Sequence, residues 1–297
     1  MDYLAQFIEK NLLMILIFSC CSSCSYGAIF EEQQPLKMGN FVLPTSQQPG
    51  PLTSLGQNIV DKDQTLLFLF ADDYGGIGKH QVDIMPGILH GITDTLSVFF
   101  NVPVAASFKQ DQNRSSGLED AFLQFEYAFY TKKTSTLFDQ ATFVTNVTFP
   151  TGSSSKIPPT GFSSPSFFLG GTFSRMYTDW FVFTSHGAVF PTTHNTTKFG
   201  KEFLYQFGFG RNLFDIDSKW IYAWMAEING QYSVQNTING IVDSNSGGNI
   251  VFITPSLWIS SKKLIFQFGF GLPVTQNLFG NQKRGTYLLV TNIVLTL

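Results

Sequence analysis

Large apolar and small or polar residues alternate one by one through most of the chain beyond residue 64. The run Gln206-Phe207-Gly208-Phe209-Gly210 recurs letter for letter at 267–271. Each copy extends a longer alternation: Phe203, Tyr205, Phe207 and Phe209 in one, Leu264, Phe266, Phe268 and Phe270 in the other. A period of two is that of a β-strand, whose successive side chains leave on opposite faces. A face made of phenylalanine needs an apolar neighbour. That neighbour is either a second sheet, as in a sandwich, or lipid, in which case the Gln/Gly face lines an interior.

Twelve such runs follow one another from Thr65 to the end. The links between them, such as "TGSSSKIPPTG", "PTTHNTT" and "DSNSGGN", are rich in Gly, Pro, Asn, Asp and Ser. Long links alternate with tight ones, the habit of a transmembrane barrel. Several runs exceed the usual globular strand and match the about 9–11 residues that cross a bilayer at a tilt. The run at 117–131 shows the fit. Ala121, Leu123, Phe125, Tyr127 and Phe129 make an apolar face, which must meet lipid. Phe122, Gln124, Glu126, Ala128 and Tyr130 make the other. The run at 95–106 reads as another single strand. An even number of antiparallel strands closes without an edge. The fold class expected is therefore all-β, a closed antiparallel transmembrane barrel of about twelve strands, at 64–297.

Composition sharpens the choice. Charged residues are 13% and aromatics 15% of 297 residues, 32 of them Phe. A soluble sandwich or adhesin should carry more charge on its outward positions. The net charge of -3, without a basic patch, argues against nucleic acid as a partner. Residues 1–27 read as a signal peptide: Lys10, a short apolar core at 12–18, and small residues Ser25 and Gly27 before a mature start near Ala28. All three cysteines (Cys20, Cys21, Cys24) lie there, so a processed chain has none. Lipoprotein processing at Cys20 is the rival reading. Residues 28–63 are rich in Pro, Gln and Ser and hold no period. They read as an irregular extension, hanging free or tucked into the barrel mouth.

Three phrases carry a family resemblance: "SGLEDAFLQFEYAF" at 116–129, "NVTFPTGSSS" at 146–155 and "FITPSLWISSKKLIFQFGFGLPV" at 252–274. Together they resemble the MetA-pathway-of-phenol-degradation, or transporter-like, β-barrel family of outer-membrane proteins. Glu119 stands where the family's opening pattern has Gly. The resemblance implies a Gram-negative outer membrane and passage of small aromatic or other hydrophobic compounds. The final alternating strand, ending in Leu297, resembles the C-terminal signal read by the barrel-assembly machinery, with Leu in place of the usual Phe.

Candidate chemistry is sparse. The four histidines lack metal-ligand spacing, and no phosphate or dinucleotide loop is present, so neither metal nor cofactor is expected. Asp72-Asp73 with His80 suggests a barrel protease only superficially, because adjacent strand residues point apart. No enzymatic activity is expected; a barrel enzyme is the alternative. The residues expected to line the lumen are Asp83, Asn101, Glu126, Asn146, His186, Gln206, Glu227 and Gln267. The expected partners are outer-membrane lipid and a small solute, which the barrel passes or binds.

Overall fold

The computed structural model describes residues 39–297, except 54, 57, 58, 195, 217 and 218. The signal segment and the first part of the extension lie outside the described residues. Twelve antiparallel strands form the wall. They are β1 (Thr65–Gly76), β2 (Lys79–Thr93), β3 (Leu96–Asn101, resumed at Val104–Gln110), β4 (Asn113–Leu118, resumed at Phe122–Lys133), β5 (Leu137–Thr148), β6 (Ser166–Tyr177), β7 (Trp180–Pro191), β8 (Glu202–Ile216), β9 (Trp220–Ser233), β10 (Gly248–Ser260), β11 (Leu264–Leu278) and β12 (Gly285–Thr296). Each pairs with its neighbours in sequence. β1 also pairs with β12, from Leu66 opposite Thr296 to Gly76 opposite Gly285, which closes the barrel.

One end carries tight turns such as Asp94-Thr95 and Thr178-Asp179, together with the start of β1 and the end of β12. The other carries the longer links at 149–165, 192–201, 234–247 and 279–284. We call these the short-turn end and the long-loop end. Two-residue strands from two of the long links, Thr193–His194, Thr197–Lys198, Thr237–Ile238 and Ile241–Val242, pair into a small separate sheet.

The alternating faces separate cleanly in the repeated run. Phe207 is 48% exposed on the outside, whereas Gln206 is 6% exposed on the inside. Phe203, Phe209, Phe266, Phe268 and Phe270 share the outer face, and Gln267 the inner one. Among the described residues no second sheet covers the phenylalanine side, which makes an apolar barrel exterior, as a bilayer requires.

The interior is less polar than the alternation suggests. In β1, β3, β6 and β7 the inward face also holds Phe: Phe68, Phe99, Phe168, Phe181 and Phe183 are all buried. The repeated glycines explain how these rings fit. Gly208 stands opposite Phe183 and Gly210 opposite Phe181. A Cβ at either position would fall within 2.1–2.2 Å of the facing ring. In the second copy, Gly269 leaves space for Leu52 instead, with 2.6 Å from an added Cβ to its Cδ2. One repeated sequence thus serves two packing tasks.

Two strands expected as single runs are interrupted. β3 breaks at Val102-Pro103, because Pro103 has no N–H for the ladder. β4 breaks at Glu119-Asp120-Ala121. The phase along β4 departs from the expected one at both ends. Ala121 is buried, since it lies in the break, and Tyr130 is 45% exposed, since a register shift between Ala128 and Tyr130 turns it outward. At the break, Asp120 gathers the link at 149–165. Its carboxylate accepts from Gly152 N at 2.9 Å and Phe162 N at 2.8 Å. Thr151 Oγ1 donates to Glu119 O and accepts from Ala121 N. The "GLED" and "PTG" phrases are therefore two halves of one junction.

Gly208→Ala should lower barrel stability by about 1–3 kcal/mol through overpacking against Phe183; the temperature of the heat-modifiable gel shift measures it. Asp120→Ala should leave the barrel folded but make the 149–165 link the first site of limited proteolysis.

Candidate lumen site

The described residues of 39–64 run inside the barrel. The segment enters at the short-turn end, rises to mid-barrel and returns to the same end, where it turns into β1. Its described residues contain two 3-10 turns, Asn40–Val42 and Thr45–Gln47, and otherwise no regular structure. Pro44, Pro49 and Pro51 prevent it from adding a strand to the wall. Irregular backbone buried in this way must have its N–H and C=O groups satisfied by something else. The inward polar side chains of the wall do this.

At the entry, Asn40 N donates to Thr178 O at 2.7 Å, and Asn212 Nδ2 donates to Asn40 Oδ1 at 2.8 Å. Gln47 bonds Thr296 through its side chain and accepts from Ser260 Oγ at 2.9 Å through its carbonyl. Gln267 Nε2 donates to Gly50 O at 3.3 Å. At the apex, Glu227 accepts from Leu52 N and Thr53 N, each at 3.2 Å, and from Thr53 Oγ1 at 3.1 Å. Gln206 grips the same stretch with both ends of its amide: Oε1 accepts from Leu55 N at 2.9 Å and Nε2 donates to Thr53 O at 3.3 Å. Ser185 Oγ donates to Leu55 O. On the return, Val60 N donates to Ser97 Oγ at 3.1 Å and Lys62 N to Asp94 Oδ1 at 2.9 Å.

Apolar side chains of the segment complete the fit. Leu52 packs into a buried cluster with Phe181, Phe183, Met225 and Val290, and Val60 into another with Leu66, Phe68, Leu89 and Trp258. Gly56, at φ +72°, passes so close to the wall that a Cβ would meet Val144 at 2.6 Å.

The residues expected to line the lumen fall into groups. Glu227, Gln206 and Gln267 hold the segment. Glu126 and Asn146 are joined through Gln124, whose Nε2 donates to Glu126 Oε1 at 2.7 Å and whose Oε1 accepts from Asn146 Nδ2 at 3.4 Å. Asn101 lies higher in the wall, donating to Met85 O at 3.3 Å. Asp83 accepts from Gln81, which also reaches Glu119. His186 is a correction: it does not face the lumen. Its neighbour Ser185 shares the inward phase of Phe181 and Phe183, so His186 lies on the outer face. There its ring stands 5.2 Å from Phe207 and its Nε2 pairs with Thr184 Oγ1 at 2.8 Å. Asp72 and Asp73 do point apart. Asp73 meets His80 at 2.9 Å and Tyr287, whereas Asp72 faces inward. Ser185, Ser260 and Ser97 were not anticipated, although their inward phase is readable from neighbouring Phe, Trp and Val residues.

Between the segment's apex and the long-loop end lies a cavity of about 420 Å³. Leu52, Thr53, Leu55 and Gly56 floor it; Phe70, Phe99, Phe122 and Phe252 supply rings; Asp72, Asn101, Gln124, Gln206, Asn229 and Gln231 supply polar groups. Among the described residues, no group of three or more His, Cys, Asp or Glu could hold a metal ion.

The fold recurs in known structures. A crystal structure of the COG4313 outer-membrane channel from Pseudomonas putida F1 superposes with a TM-score of 0.69 at 12% identity, over 84% of this chain and 99% of that one. The NanC porin (TM-score 0.47, 10% identity, 77% and 100% coverage) and LpxR from Salmonella typhimurium (0.45, 10%, 78% and 99%) are more distant. The first likeness establishes a shared barrel fold; the other two are too loose to add to it. No protein-family model and no curated protein sequence matches the chain.

The apex contacts make a direct prediction. In Glu227→Gln/Gln206→Ala protein, hydrogen exchange at Leu52, Thr53 and Leu55 should rise by about tenfold or more, since each lost bond is worth roughly 1 kcal/mol. Amides in the ladder between β8 and β9 should stay protected.

Proposed function

We propose that this protein is a bacterial outer-membrane channel for a small, aromatic or hydrophobic solute, and that residues 39–64 set its permeability. One observation carries the reading. An apolar-walled barrel contains a ring-lined cavity whose floor is a segment of irregular backbone held at its apex through side-chain hydrogen bonds. Such a segment can shift at its apex without breaking the wall, because the bonds at Leu52, Thr53 and Leu55 run to wall side chains and not to the strand ladder. The family resemblance supports an aromatic or hydrophobic solute, and the phenyl rings of Phe70, Phe99, Phe122 and Phe252 suit one.

The short-turn end faces the periplasm in this reading, as short turns do in barrels of this class. The signal segment delivers the chain across the inner membrane, and β12 presents the terminal strand to the assembly machinery. The activity is passage, with no reaction of its own. The lumen carboxylates and amides Glu227, Gln206 and Gln267 are occupied with backbone groups rather than converged on a reacting centre.

Planar-bilayer recording tests this. The wild-type barrel should show a small, fluctuating conductance. Glu227→Gln/Gln206→Ala protein, with the apex untied, should show a larger and steadier one. Equal conductance in the two, with the variant correctly folded, would refute the throttle. Absence of any current or solute uptake from both would refute the channel.

A further inference from the structure

The polar groups in the cavity wall are not all spoken for. Asp72 Oδ1 is buried and has no hydrogen-bond partner, and the same is true of Asn101 Oδ1, on a side chain only 2% exposed. Both atoms are acceptors, and both residues line the cavity. A buried acceptor without a donor is costly, so a lumen built with two of them is suited to something that supplies donors.

Charge narrows the choice. Among the described residues that line the cavity there is no Lys, Arg or His, and Asp72 is the one charged side chain. Its cross-strand neighbour is Asp83, a second carboxylate, whose Oδ1 is also without a partner. Lys79 lies nearer the long-loop end, with Nζ 5.2 Å from the ring centre of Tyr74 and 5.3 Å from that of Phe108. It forms no ion pair with Asp72. Rings surround the site as well: Phe70 is two residues from Asp72 on the same face of β1, and Phe252 stands edge-on to Tyr74 with centroids 6.5 Å apart. Aromatic faces attract cations and reject anions through the ring quadrupole.

We infer that the cavity is a binding site for a small organic ammonium ion, an amine carried on an aromatic or aliphatic body, with Asp72 as its counter-ion. The phenyl rings take the body and the flanks of the ammonium, and Asn101 accepts from a second donor where the solute has one. This rests on the channel reading for its purpose, and it names the solute class of that same lumen. Binding itself does not require conduction.

The test uses the full-length barrel in a nonionic detergent at pH 8 and three probes of one shape: phenethylamine, 2-phenylethanol and phenylacetate. Calorimetry should show the amine bound about tenfold or more tighter than the neutral alcohol, with the acid weakest. Asp72→Asn, which is nearly isosteric, should remove the preference for the amine while leaving the alcohol's affinity unchanged. Equal binding of the three, tighter binding of the acid, no binding of any, or an amine preference that survives Asp72→Asn would each overturn the assignment. The wild-type comparison stands alone if the variant does not fold. A barrel that binds the amine in detergent yet passes no current would overturn the channel and leave the site intact.

Discussion

A length of backbone buried without a strand or helix of its own must borrow its hydrogen bonds, and the interior of this barrel is arranged around that need. Pro44, Pro49 and Pro51 keep residues 39–64 from joining the wall, so the wall supplies side chains in place of a ladder. Gln206 answers both a donor and an acceptor of the segment, and Glu227 answers two adjacent N–H groups. These residues would be expensive to bury unpaired. Their presence and the segment's path explain one another.

The same constraint accounts for the composition. A wall of twelve strands encloses more space than its own side chains fill, and this chain fills it with a segment and with inward rings. The rings need close neighbours without side chains, which is why glycine accompanies phenylalanine in the repeated run. Gly208 and Gly210 admit Phe183 and Phe181; Gly269 admits Leu52. The outward phenylalanines answer to lipid and the inward ones to packing. The same residue type thus occupies both faces for different reasons.

This divides what could be read in the chain from what could not. Strand number, closure and the facing of Phe203, Phe207, Gln206 and Gln267 follow from alternation alone, since period two is local. The break in β4 and the turned-out Tyr130 do not, because a bulge moves the phase by one residue and leaves no local mark on composition, whereas the break in β3 carries its mark in Pro103. His186 was misplaced for a related reason: polarity suggested the lumen, while the phase set by Phe181, Phe183 and Ser185 put it outside. The course of residues 39–64 was undecided because the wall partners of its entry and apex, at 40–55, lie 130–249 residues away in sequence. The role of Asp120 was hidden because its partners, 32 and 42 residues on, lie beyond two intervening strands, although both phrases it joins were conspicuous.

Two sets of contacts hold the internal segment, and they are independent. The entry and return are tied near the short-turn end, by Gln47 to Ser260 and Thr296 and by Val60 to Ser97. The apex is tied by Glu227, Gln206 and Ser185. Six apex bonds at about 1 kcal/mol each and about 2 kcal/mol for Leu52 come to about 8 kcal/mol before the entropy of ordering the segment is subtracted, enough to keep the apex seated nearly all the time. The barrel wall keeps its ladder bonds and its closure between β1 and β12 when the apex lifts, because none of these groups takes part in them. A solute that competes for the cavity floor needs to offset only that apex term, with the two ends still anchored. A segment bound in this divided way can move at its middle while remaining in place, which a segment woven into the sheet could not do.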